Sequence, residues 1–173
     1  MKIFGLVGWS GSGKTTLMKM ILPELISRGI RVSTIKHTHH DFDIDKPGKD
    51  SFTHREAGAT EVLIAGDRRW ALLHENRGVG EPSMDELIER LEPVDLVLIE
   101  GFKSYNHNKL EVYRPSHGKE MLAKGDHSVI AVATDEVIEQ LEVPVLDLND
   151  VAAVATFIID YCELKTGAVC GAA

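Results

Sequence analysis

The chain has 173 residues, 43% of them apolar, which is enough to bury a core as a single domain without disulfides. Its two cysteines, Cys162 and Cys170, can build neither a disulfide framework nor a four-cysteine zinc site. A formal net charge of -8 argues against broad binding to nucleic acid. The lack of a signal-type segment or a bilayer-length apolar run points to a cytoplasmic protein with no membrane partner.

Residues 2–7 read as a strand. They run directly into Gly8-Trp9-Ser10-Gly11-Ser12-Gly13-Lys14-Thr15, which fits the phosphate-binding pattern G-x-x-x-x-G-K-[ST]. Residues 15–27 then place Leu17, Met20, Ile21 and Leu25 at helical spacing. Strand, glycine loop and helix therefore stand in the order this chemistry requires. Phosphates must be wrapped by backbone N–H groups, and Gly11 and Gly13 allow the tight bend and close approach at little steric cost. The helix start adds unpaired N–H groups and the positive end of its dipole. Lys14 is expected to reach the β and γ phosphates, and Thr15 to bind a bridging Mg²⁺ through its hydroxyl. Ser10, Gly11, Ser12, Gly13 and Thr16 complete the set of nucleotide contacts. Trp9 is expected to be exposed, pointing away from the phosphates, or else to serve as a lid or packing residue.

After the helix, Gly29 suits a C-cap and residues 31–36 a strand, giving a right-handed βαβ unit. Residues 37–51 are rich in histidine, carboxylate, Pro and Gly and are expected to lie as a loop over the nucleotide. Asp50 or Ser51 can cap a short helix ending near Ala57. Residues 60–65 and 69–74 flank Gly66-Asp67-Arg68 as a hairpin, a candidate dimer surface. Ser83 and Glu86 form a capping box for a helix over 83–92, ended by Pro93. Residues 95–99 read as a fully apolar central strand running into Glu100-Gly101-Phe102-Lys103. Residues 109–114 alternate weakly as a possible strand, and 115–126 carry no clear pattern. A strand at 128–133, a helix at 135–141, a short strand at 143–148 and a helix at 150–164 close the chain. The whole predicts a three-layer α/β fold, with a mostly parallel sheet flanked by helices plus an edge β-hairpin.

A second constellation follows from the strand at 95–99. An acid at the carboxyl end of such a strand can hold Mg²⁺ beside a phosphate loop, and Glu100 stands there with Gly101 after it. Lys36, Arg55 and Lys103 could join Lys14 around an anion. In the 37–51 loop, Asp43 and Asp45 suit Mg²⁺ or the ordering of water near the γ phosphate. His37, His39 and His40, with Asp41, Asp43 and Asp45, have the composition of a metal site, though neighbouring histidines on a loop are often just solvated. Asp135 sits where nucleotide-binding sheets often read a base, and a carboxylate can accept from N1 and N2 of guanine. No Asn-Lys-x-Asp signature accompanies it, so it could equally cap a helix.

Taken together, GWSGSGKTTL, KHTHHDFDIDKPGKDSFTHREAGA, AGDRRWALLHE, LVLIEGFK and LDLND resemble the molybdopterin-guanine dinucleotide biosynthesis protein B (MobB) family over nearly the whole chain. The resemblance implies a homodimeric GTP-binding protein with at most slow GTPase activity and with Mg²⁺ as cofactor. It would assist the partner enzyme that joins GMP to molybdopterin in molybdenum cofactor biosynthesis, and molybdopterin itself could be a ligand. On this sequence the family's phosphate loop falls on Gly11, Gly13, Lys14, Thr15 and Thr16, and its acidic motif on Glu100 and Gly101. Two alternatives remain open at this level. One is a small-molecule kinase with a lid around Arg114 and Lys119; the other is a GTPase metallochaperone using His37, His39 and His40.

Overall fold

The computed structural model describes residues 1–38 and 42–167. The chain forms two compact units, one of Met1–His37 together with the chain from Ile88 onward, the other Thr38–Leu87.

The first unit is built on a six-stranded sheet whose pairings are all parallel. Its strands are β1 (Lys2–Val7), β2 (Val32–Lys36), β5 (Leu96–Glu100), β6 (Lys109–Tyr113), β7 (Val129–Thr134) and β8 (Val145–Asp147), in the spatial order β2-β5-β1-β6-β7-β8. Helices α1 (Lys14–Ser27) and α4 (Val151–Tyr161) contribute one layer. From α1 come Leu17, Ile21 and Leu25, from α4 Val154, Ala155 and Ile158, and all six lie in one apolar cluster with Phe4, Leu6, Leu96, Leu98, Leu110 and Val112. Period-two alternation leaves the other side chains of these strands on the opposite face. Each fully buried aliphatic side chain there or here contributes about 1.5–3 kcal/mol relative to exposure.

The caps follow the sequence. Gly29 takes a left-handed φ of 82° after α1, and the Asp150 carboxylate accepts from Ala153 N at 2.9 Å to start α4. Pro23 lies inside α1 without ending it; it removes one helical hydrogen bond, and the flanking Ile21 and Leu25 hold the turn in the core.

One expectation fails here. Residues 135–141 form no helix. The stretch is short, acidic and β-branched, Val137 is exposed and Gln140 has a φ of 59°. Its apolar side chains have no surface to bury against, Val137 standing in solvent, so this short segment does not repay helix nucleation. The possible strand at 109–114 is present as β6, and it is an interior strand of the sheet, with Lys109 1% and Glu111 0% exposed. Its alternation is real, but the polar face is buried and hydrogen-bonded. The Glu111 carboxylate accepts from Leu122 N and Ala123 N, both at 2.9 Å, and so pins a 3₁₀ turn, Leu122–Lys124. Burial pushes its carboxyl up from the usual range, against these two hydrogen bonds.

The second unit carries α2 (Asp50–Glu56) and a two-stranded antiparallel sheet, β3 (Glu61–Gly66) with β4 (Arg69–His74). Gly66 pairs with Arg69, so the turn is the two residues Asp67 and Arg68. Ser83 makes the expected reciprocal cap, Ser83 N to Glu86 Oε2 at 2.8 Å and Glu86 N to Ser83 Oγ at 3.3 Å, before α3 (Met84–Glu89). Among the described residues no helix is long and apolar enough to cross a membrane.

Cys162 closes α4 as a buried thiol whose pKa burial pushes up to about 11. Thiolate is the reactive form, so in a Cys170→Ser background native Cys162 is expected to resist alkylation at pH 8 and to react at once on unfolding, as read by mass spectrometry. Rapid labelling of the native protein would contradict its burial.

Candidate nucleotide-binding site

Ligands of open parallel sheets bind beyond the carboxyl ends of the strands. Here five adjacent strands deliver, in spatial order, Lys36 from β2, Glu100 from β5, the glycine loop from β1, Arg114 after β6 and Asp135 after β7. Registers pairing Lys36 with Glu100, and Glu100 with Leu6, bring the first three to one level.

In the loop, Gly8, Gly11 and Gly13 have φ of 142°, 81° and 101°, conformations that a side chain would strain. α1 begins at Lys14, with Gly13 as its N-cap. The Lys14 ammonium donates to the carbonyls of Gly8 at 3.0 Å and Trp9 at 2.8 Å. An ammonium has three donors, so one remains for a phosphate oxygen. Desolvation lowers the Lys14 pKa, Glu100 opposes that shift, and Lys103 and Lys36 add to it.

The Thr15 hydroxyl donates to Glu100 Oε1 at 2.7 Å. Lys36 Nζ lies 3.7 Å from the same oxygen. A hydroxyl and a carboxylate at hydrogen-bond distance beside a helix N-terminus are hard oxygen donors of the kind Mg²⁺ takes, so the residues fit that ion. Gly101, at φ 103°, packs where a Cβ would come within 2.9 Å of His37 Cβ, and the His37 ring rests on Phe102 at 4.3 Å between centroids. Ser10, Thr15 and Thr16 are exposed at the loop mouth and helix start.

Trp9 and Ser12 are both held by contacts distant in sequence. Trp9 is half-buried; its indole N–H donates to the Glu120 carbonyl at 2.7 Å, and Lys103 Nζ stands 4.1 Å over its ring. It therefore clasps the 115–126 segment to the loop. Ser12 turns toward the protein. Its N–H bonds to the Trp9 carbonyl at 3.1 Å, and its buried hydroxyl has no hydrogen-bond partner among the described residues. Its carbonyl accepts from Arg114 Nε at 3.1 Å. The same guanidinium is ion-paired with Asp135, so the carboxylate read as a candidate base contact is engaged by Arg114.

Asp43, Asp45 and Arg55 are brought together in the second unit. Arg55 Nη2 meets Asp43 at 2.9 Å and Asp45 at 3.1 Å, and Nη1 meets Glu75 at 3.4 Å. Arg55 thereby holds the 42–45 stretch to its own unit, with Asp45 almost fully buried under it. His39, His40 and Asp41 lie outside the described residues. Among the described residues no group of three or more His, Cys, Asp or Glu is arranged to hold a metal ion.

The family model for molybdopterin guanine dinucleotide synthesis protein B matches residues 3–135, a stretch that includes the glycine loop, Glu100 and Arg114. The chain belongs to the MobB family. It is 42% identical to the molybdopterin-guanine dinucleotide biosynthesis adapter protein of Escherichia coli (strain K12), over 95% of this chain and 95% of that one. It is likewise 42% identical to the adapter protein of the same description from Haemophilus influenzae, covering 96% of this chain and 92% of that one. A crystal structure of molybdopterin-guanine biosynthesis protein B superimposes with a TM-score of 0.72 at 27% identity, covering 92% of this chain and 99% of that chain. The MobB relationship accounts for a nucleotide-binding phosphate loop on a parallel α/β sheet.

Sequence reasoning did not assign Arg114 to the phosphate loop. It precedes a patternless stretch, and its partners Ser12 and Asp135 lie 102 residues before and 21 after it. Lys109 was missed too. Its ammonium donates to the carbonyls of Lys103 at 2.9 Å and Tyr105 at 2.7 Å and lies 3.3 Å from Asp126 Oδ2. The one available signal was a lysine and a glutamate at alternate positions of an otherwise apolar run.

Proposed function

We propose that this member of the MobB family is the GTP-binding adapter of molybdopterin guanine dinucleotide formation. It would bind GTP with Mg²⁺ and engage, in a nucleotide-dependent way, the guanylyltransferase that attaches GMP to molybdopterin. The observation that carries this reading is the joined geometry of Lys14 on the Gly8 and Trp9 carbonyls and Thr15 on Glu100. Lys14, the N–H groups at the start of α1 and the exposed Thr16 would bind the phosphates. Thr15 and Glu100 would hold Mg²⁺, which when bound neutralises phosphate charge. Lys36 and Lys103 add positive charge at the same edge.

Slow hydrolysis at most is expected. Asp43 and Asp45 are both committed to Arg55, and a carboxylate shared with a guanidinium is a weak base. Trp9 and Arg114 anchor the 115–126 segment, which favours an adapter over a kinase with a mobile arginine lid. A homodimer is supported by the β3–β4 hairpin, which exposes Leu63, Ile64, Trp70 and Leu72, an apolar surface typical of association.

Calorimetry with GTP, GDP and ATP, each with and without Mg²⁺, tests the reading, with GTP expected to bind best and to need Mg²⁺. Glu100→Gln is expected to lower Mg²⁺-supported GTP affinity by about 10- to 100-fold while leaving Mg²⁺-free binding nearly unchanged. Equal binding of ATP and GTP, or indifference to Mg²⁺ and to Glu100, would count against it.

A further inference from the structure

A phosphate cradle works only if its peptide N–H groups face the ligand, and that requires its carbonyls to find donors elsewhere. The loop shows where they go. Gly8 and Trp9 carbonyls accept from Lys14, the Gly13 carbonyl accepts from Leu17 N at 2.8 Å, and the Ser12 carbonyl accepts from Arg114. In a trans peptide the C=O and the following N–H point in opposite directions. A guanidinium fixed on the Ser12 carbonyl therefore turns the Gly13 N–H the other way. Gly13 has no side chain to limit rotation of this peptide, and its left-handed φ makes that rotation easy.

Arg114 is itself fixed. It follows β6, its Nη2 lies 3.7 Å from where a Gly13 Cβ would stand, and its Nη1 is ion-paired with Asp135 at the end of β7. Both side chains are about one-third exposed or less, so water competes only in part for the pair.

We propose that Arg114 and Asp135 form a brace that locks the Ser12–Gly13 peptide of the phosphate loop in its binding orientation. Arg114 is the positioning residue, and Asp135 acts through Arg114 rather than on the base. The inference rests on the nucleotide-binding reading above. It also deepens that reading, because it assigns Asp135 to phosphate affinity instead of guanine selection.

A ligand without a base separates the two roles of Asp135. Tripolyphosphate and GTP, each with Mg²⁺, would be titrated calorimetrically into the full-length wild type, Arg114→Met, Arg114→Lys, Asp135→Asn and the Arg114→Met/Asp135→Asn double variant, with thermal unfolding followed in parallel. The brace predicts that Arg114→Met weakens both ligands by about tenfold. Arg114→Lys should recover part of the loss. Asp135→Asn should weaken tripolyphosphate and GTP by the same factor, and the double variant should be no worse than Arg114→Met alone, since the two act as one unit. Loss of GTP affinity in Asp135→Asn with tripolyphosphate unchanged would overturn the brace in favour of direct base contact. Additive losses, or full affinity in Arg114→Met, would also overturn it. No binding of either ligand by the wild type would instead remove the nucleotide reading, and the brace with it.

Discussion

Lys14→Ala is expected to lower GTP affinity by about 150-fold, near 3 kcal/mol. Two losses combine. The γ-phosphate side of the ligand loses a charge-assisted hydrogen bond, which is worth about 1.5–3 kcal/mol where water is partly excluded. The loop itself loses the donor that holds the Gly8 and Trp9 carbonyls at 3.0 and 2.8 Å. GDP should suffer less than GTP, because fewer phosphate oxygens reach the ammonium. Titration calorimetry reads both. A variant within fivefold of wild type for GTP would remove Lys14 from the centre of the site.

The pH dependence has a defined sign. Burial lowers the Lys14 pKa in the free protein, so its positive charge is lost at lower pH than an ordinary lysine's. A bound phosphate favours the charged form and raises the pKa. Between the two values the complex holds more protons than the free protein, so binding takes up protons and weakens as pH rises through the alkaline range. Lys14→Ala should abolish that proton uptake, which is measured by repeating the calorimetry in buffers of different ionisation enthalpy.

Lys109→Met carries the largest expected effect on stability, a loss of about 3 kcal/mol. The Lys109 side chain is 1% exposed, while Asp126 keeps 36% of its own exposure. Removing the ammonium leaves the Lys103 and Tyr105 carbonyls without this donor. The Tyr105 carbonyl keeps the His107 N–H at 3.0 Å, so the cost falls on the part-buried Lys103 carbonyl and on the charge-assisted bonds lost with the ammonium, about 1–3 kcal/mol each. The stranded Asp126 can turn to water, and its Ser128 hydrogen bonds remain, which limits the damage. Methionine nearly matches the lysine stem in volume, so the cost comes from polar groups and not from a cavity. Urea unfolding should show a lower midpoint with an unchanged slope. A loss under 1 kcal/mol would show that water enters to replace the ammonium. Because Lys109 also holds the carbonyl of Lys103, whose ammonium sits on Trp9, the variant should bind GTP somewhat less well, though far better than Lys14→Ala.

The two variants mark the limit of what could be read from the chain alone. The glycine loop, its strand and helix, the capping box at Ser83, the hairpin turn and the apolar β5 ending in Glu100 were all legible. Each is written in residues close together in sequence, where periodicity and capping hydrogen bonds act. The helix expected at residues 135–141 failed because local pattern cannot report whether an apolar face will have anything to bury against. The partner of Trp9 was not legible, because nothing near it in sequence announces the Glu120 carbonyl 111 residues away.

By itself, then, the sequence determined the phosphate-binding chemistry, the α/β class and the family. Tertiary structure decided the strand order that sets Thr15 against Glu100 across 85 residues and Arg114 against Ser12 across 102. It also decided that Lys109 and Glu111 are interior residues, and that Asp135 is ion-paired with Arg114. The physical reason is common to all of these. A charge or an unpaired carbonyl is stable in the interior only beside its partner, and the partner's position is fixed by how the sheet is assembled.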